Sequence, residues 1–350
     1  SIKKMDFNIK GNNLKLHDFI KELPAEYQNQ MSDISTDGNF SFDFDIFGDF
    51  DSDAPFEMNL KASMKNGSLT KENSDINFKN LNFNLVYTNG GSNSLKNSKL
   101  YFKNFSTTHK MGQISGEFSI INLESPNINA KLKGTFNLAD LTPFIGNEVI
   151  KTISGKAVAD IILDLKLKQW SNVKSSDFIG SKSAGMINLN NVNIEIKDNP
   201  NQISGLNGVV LFSNTNLILE KMNLNYGKTN FDIDGSLIDI FPYFFNSNYP
   251  LKAKVKVLAK NIDFDDLLKS NSSDKSSDKK LIIPQNILAE VDFQANKIKF
   301  GKFTGTDLKT SIYFINGRLD IPSFKIFALD GNITANGKIS KTNENTFLLH

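Results

Sequence analysis

Three aspartates, one to each stretch of about 120 residues, are the first side chains in this sequence that could do chemistry. Asp18, Asp140 and Asp266 each lead a short apolar segment, 122 and 126 residues apart. Carboxylate pairs run general acid–base hydrolysis, but such a pair must lie within roughly 10 Å. Carboxylates spread one per structural repeat would stand too far apart for that. Their expected role is to cap a helix or to oppose the dipole of its first turn. The histidines His17, His109 and His350 show no metal-ligand spacing of the HExxH kind. The acidic run DFDIFGDFDSD from Asp43 to Asp53 and the segment DGNITANG lack the spacing of a Ca²⁺ loop. No P-loop, GxSxG, or GxGxxG within a βαβ unit is present. With no cysteine in the chain, disulfides, thiolate metal sites and cysteine nucleophiles are excluded. The expectation is a protein that is not an enzyme, with no catalytic residues, no metal and no cofactor.

Composition narrows the partners. The 350 residues hold 40 basic and 38 acidic side chains, and Arg318 is the one arginine. Nucleic-acid readers use arginine for bidentate contacts within a basic patch. Here lysines are scattered among Asp and Asn, so no nucleic acid is expected. Hydrophobic residues make up 39%, with 29 phenylalanines, enough to build a large apolar surface. No apolar run reaches the length of a membrane-spanning helix, and no signal peptide is visible. The opening SIKKMDFNIK already reads as a strand, as expected of a piece cut from a longer protein.

The elements that must carry these residues are strands. Phe40, Phe42, Phe44 and Ile46 alternate with Ser41, Asp43 and Asp45. Ala157, Ala159, Ile161, Leu163, Leu165 and Leu167 share one parity. Met222, Leu224 and Tyr226, then Ala253, Val255 and Val257, then Val291, Phe293 and Ala295 do the same. A period of two puts the apolar residues on one face and the polar ones on the other. One-sided sheets of this kind are usually antiparallel. Tight turns are expected at Asn66-Gly67, Asn89-Gly90-Gly91, Asn316-Gly317 and Asp330-Gly331. Helical spacing occurs only over Leu16–Leu23, Asp140–Ile150 and Asp263–Lys269, each too short to stand without packing.

These pieces recur in order. Strand, short helix and strand repeat around the three aspartates. A second motif ends on Gly116, Gly235 and Gly337 in HKMGQISGEFSI, NYGKTNFDIDGSLI and FALDGNITANGKI. The spacing predicts repeats over 1–128, 129–250 and 251–350, the last incomplete, forming one continuous elongated array rather than independent domains. The segment 270–280, SNSSDKSSDKK, has no apolar residue and reads as a mobile loop.

ISGEFSIINLESPNINAKLKGTFNLADL (114–141), the NLADLTPFI segment and YGKTNFDIDGSLIDI (226–240) resemble the AsmA-like, TamB-related family of bacterial envelope proteins. The likeness covers most of the chain, and its motifs are apolar alternation punctuated by Gly, Asn and Asp. It implies a mainly β fold: a long curved antiparallel sheet built from repeats, a β-groove or taco-like trough, with a few short helices. About fifteen strands would be needed for a trough on the order of 70 Å. It further implies a periplasmic, bridge-like lipid-transfer segment of a Gram-negative bacterium. Such a segment carries phospholipid acyl chains between inner and outer membranes and supports outer-membrane assembly. The full-length protein would be anchored in the inner membrane through segments outside this chain. Expected partners are phospholipid or another acyl lipid, and envelope proteins the sequence does not specify. The expected lining is Phe40, Phe42, Phe44, Ile161, Leu163, Leu165, Met222, Leu224, Val255, Val257, Val291 and Phe293. Alternation alone also fits a structural or adhesive array of stacked sandwiches, in which the same faces bury each other.

Overall fold

The computed structural model describes residues 4–22, 34–49, 55–71, 77–92, 94–110, 112–139, 150–169, 177, 181–197, 199–240, 249–267, 286–343 and 346–349. The chain is mainly β, with eighteen strands and two short helices among the described residues. No helix there is long and apolar enough to cross a membrane. By packing the chain forms two units, 1–136 with 158–185, and 137–157 with 186–350.

The first unit is an open sheet laid down in chain order. It comprises β1 (Lys4–Lys15), β2 (Ile34–Asp49), β3 (Glu57–Lys71), β4 (Asn77–Thr88), β5 (Lys99–His109), β6 (Gly112–Ile121) and β7 (Asn127–Asn137). Each pairs antiparallel with the next. Helix α1 (Leu16–Lys21) follows β1. It stops short of the predicted Leu23, which lies outside the described residues. Strand β8 (Ile150–Lys166) gives its second half to this unit and its first to the other. The helix expected from Asp140 lies outside the described residues up to Ile150, and Ile150 begins β8.

The second unit continues with β9 (Ala184–Ile196), β10 (Ile203–Ser213), β11 (Asn216–Tyr226), β12 (Thr229–Ile238) and β13 (Leu251–Asp263). Then come α2 (Phe264–Leu267), β14 (Ile287–Phe300), β15 (Phe303–Ile315), β16 (Arg318–Ala328), β17 (Gly331–Asn343) and β18 (Thr346–Leu349). One pairing departs from the antiparallel expectation. Strands β13 and β14 run parallel, with Val255 opposite Val291 and Val257 opposite Phe293. A parallel neighbour needs the chain to return to its starting edge, which a tight hairpin cannot do. The connection spans 264–286: it begins with α2 and contains the predicted loop 270–280, which lies outside the described residues.

Strand register explains the two-faced character. In the first unit one row runs Ile9, Phe44, Leu60, Tyr87, Leu100, Ile120, Ile128, crossing seven strands without a polar member other than the tyrosine hydroxyl. The next row is Gly11, Phe42, Ala62, Leu85, Phe102, Phe118, Ala130. Phe102 and Phe118 stack with ring centres 4.4 Å apart, and the Phe42 ring lies over Gly11. On the reverse face Lys10 pairs with Asp43 at 3.2 Å and Lys131 with Glu117 at 3.3 Å.

The strands are bent by a recurrent device. Asn66, Asn80, Asn104 and Asn191 take positive φ between 48° and 52° inside strands, and the register of β3, β4 and β5 slips there. These are β-bulges, which bend a strand and leave one ladder amide without its partner. Neighbouring side chains take over that role. The Asn66 amide donates to Asn82 Oδ1 at 2.9 Å, and Asn82 Nδ2 donates to the Asn80 carbonyl at 2.7 Å. In the second unit Asn191 donates to Asn207 Oδ1 and Gly205 to Asn193 Oδ1, both at 2.9 Å. Asn66-Gly67 is therefore a bulge within β3, not the hairpin turn predicted for it. Asn316-Gly317 does form a hairpin turn, with φ of 48° and 79°.

Candidate functional site

The carboxylates do not converge. Asp18 is exposed in the first turn of α1, its Oδ1 3.3 Å from His17 Nδ1. Asp140 lies outside the described residues. Asp266 is buried in α2, and its carboxylate accepts the Lys228 amide at 3.3 Å. The same helix is also held by Asn201, whose Nδ2 donates to the carbonyls of Asp266 and Leu267 at 3.1 and 3.3 Å. Asp266 is thus a latch for α2. His109 is buried against Phe78, ring centres 5.2 Å apart, and His350 lies outside the described residues. Among the described residues no three His, Asp or Glu side chains gather where a metal could bind. In the acidic run, Asp43 accepts Asn8 Nδ2 at 2.6 Å beside the Lys10 ammonium, and these two hold its carboxyl below the usual aspartate range.

What the folded chain does assemble is an apolar strip on each unit. In the first, Phe40, Phe42 and Phe44 face the same way as Leu60, Ala62 and Met64. Asp160 of β8 pairs with Lys133 at 2.8 Å on the polar side. Strand alternation therefore turns Ile161, Leu163 and Leu165 to the opposite, apolar side. In the second unit the rows are Met222, Ile233, Val257, Phe293 and Leu224, Phe231, Ala259, Ala295, Leu308. A third reads Leu219, Gly235, Val255, Val291, Ile312. The reverse of that sheet carries Asp234, Lys256, Asp292 and Ser311 in a row, with Ser311 Oγ donating to Asp292 at 2.8 Å.

The strip is half-buried along most of its length. Complete burial is reached where α2 folds over it, in the cluster of Ala259, Ile262, Ala295, Ile298, Leu308 and Ile326, against which Phe264 and Leu267 pack. A hollow of ≈ 430 Å³ in the first unit lies among Tyr101, Lys103, Glu117, Lys131 and Asp164. Its lining also includes Phe102, Phe118, Ala130 and Leu163, so it draws on residues of both parities.

No protein-family model matches the chain, and no curated protein or solved structure matches it significantly. The site therefore rests on its own geometry.

Sequence patterning missed the middle of the first strip: Leu60, Ala62, Leu85, Tyr87, Leu100, Phe102, Phe118 and Ile120. Bulges between Met64 and Gly67, Lys79 and Asn82, and Phe102 and Phe105 break the alternation there. The signal that marks them is a left-handed Asn followed two residues later by Asn or Ser, as in Asn66-Gly67-Ser68, Asn80-Leu81-Asn82 and Asn104-Phe105-Ser106.

Proposed function

We propose that the apolar strips carry the acyl chains of phospholipids or other lipids. On this reading the chain is a lipid-transfer segment of a bacterial envelope protein, working in the periplasm and tied to the membrane by segments outside it. The supporting observation is the unbroken cross-strand run of apolar residues that remains half-buried. A sandwich would seal the same residues under a second sheet, whereas each unit here is one ladder of strands. Burying an acyl chain is worth about 0.8 kcal/mol per CH₂. Contact on one side only, at half that value, still gives about 6 kcal/mol for a sixteen-carbon tail. A tail can therefore stay on the strip while its head group remains wet, and it can slide because neighbouring rows offer equivalent contacts. Direction would come from partners or lipid gradients.

A charge placed on the strip tests the reading. Leu163→Asp and Val257→Asp are expected to weaken binding of a fluorescent fatty acid by about tenfold or more, since a carboxylate there loses its water against the bound tail. Ser311→Asp on the polar face should leave binding as it was. Equal binding by all four proteins would overturn the proposal.

A further inference from the structure

Two turns at one end of the second unit have a feature that acyl-chain transport does not use. The β16–β17 hairpin closes through Leu329 and Asp330, at φ of 51° and 60°, because Ala328 pairs with Gly331. The turn is thus one residue earlier than Asp330-Gly331, and it puts a leucine where tight hairpins take Asn, Asp or Gly. A left-handed leucine is disfavoured by its own Cβ. Its side chain is 85% exposed, so no packing within the unit compensates. Beside it stand Phe327 at 44% and, at the β14–β15 turn, Phe300 at 56% exposure. Strain and exposure concentrated at one place mark a site whose partner is outside the fold.

Between these tips lies a cavity of ≈ 650 Å³ lined by Lys228, Lys297, Lys299, Thr304, Thr306 and Leu329, among others. Lys228 and Lys297 make no ion pair among the described residues. Three of the acids nearby are already engaged within the unit. Asp263 is held by Lys299 at 2.9 Å, Asp265 accepts the Gly301 amide at 2.9 Å, and Asp266 is buried against Lys228 N–H. Asp265, Asp307 and Asp330 are exposed at this end.

We propose that this end of the second unit docks on a phospholipid bilayer. Leu329, Phe327 and Phe300 enter the interface, and Lys228 and Lys297 donate to lipid phosphates. Two tips with exposed apolar side chains and with ammonium donors between them suit a fluid interface. A protein partner would call for a contiguous patch of about 800 Å².

Flotation with vesicles tests this, using phosphatidylcholine alone and phosphatidylcholine with phosphatidylglycerol in equal parts. The protein is expected to float with the mixed vesicles. The variant Leu329→Asn should bind about tenfold less, with its unfolding temperature unchanged or raised because asparagine accepts the turn. Lys228→Gln with Lys297→Gln should weaken binding to the mixed vesicles more than to phosphatidylcholine. The proposal is independent of the acyl-chain strip, so Leu163→Asp should float like the parent. It is overturned if the tip variant floats undiminished, if the parent does not float, or if Leu163→Asp alone abolishes flotation.

Discussion

Asn66 shows how much one residue type decides in this fold. Its φ of 51° puts the Cβ in a region that asparagine and glycine enter and branched residues avoid. Its amide is also satisfied by a side chain, Asn82, in place of the ladder. Asn66→Val should therefore destabilise the protein by about 1–2 kcal/mol, while Asn66→Gly should be close to neutral; urea midpoints at constant m-value measure both. Asp43 makes a pH-dependent contribution. Asn8 first and Lys10 second hold its carboxyl below its unfolded value. The stabilisation is present above the ordinary aspartate pKa near 3.9 and is lost as pH falls through that value to the lower folded one. The gap in urea midpoint between the parent and Asp43→Asn should narrow between neutral pH and pH 3. At this scale the sequence was only partly legible. Asn-Gly pairs announce positive φ, but whether they turn a hairpin, as Asn316-Gly317 does, or bulge a strand, as Asn66-Gly67 does, depends on the partner strand.

At the scale of elements, strands were legible and their pairing was not. Alternation at Phe40–Ile46 and Val291–Ala295 located β2 and β14, because a half-buried face imposes a period of two. The parallel join of β13 and β14 was hidden because it depends on where a long connection returns. Two of the three repeated glycines gain a physical meaning here. Gly116 faces Leu132 and Gly235 faces Val255, each with φ near 150–160°. A Cβ would strike the carbonyl of Lys131 or Lys254. Gly116→Val should accordingly break the β6–β7 ladder, seen as loss of amide protection over Asn127–Asn137. The latch on α2 makes a separate prediction. Asn201→Ala removes two donations to helix carbonyls at a buried position, at a cost of about 1–3 kcal/mol. Hydrogen exchange of the α2 amides should rise well before global unfolding.

For the molecule as a whole, the decisive property is an apolar strip on each unit that, among the described residues, no second sheet of that unit covers. Parts of it were legible in each unit, Phe40, Phe42 and Phe44 in the first and Val255 and Val257 in the second. Its continuity was not, because a row across seven strands is a fact of register, and register follows from bulges and turns that composition does not specify. The reading of that strip as a lipid path is tested most directly by native mass spectrometry of the purified protein, with a photocrosslinker at Leu224 or Leu163. The account predicts phospholipid masses carried by the protein and crosslinked to those positions, and none crosslinked from Ser311 on the reverse face. A protein that carries no lipid, or one that crosslinks lipid equally from both faces, would contradict it.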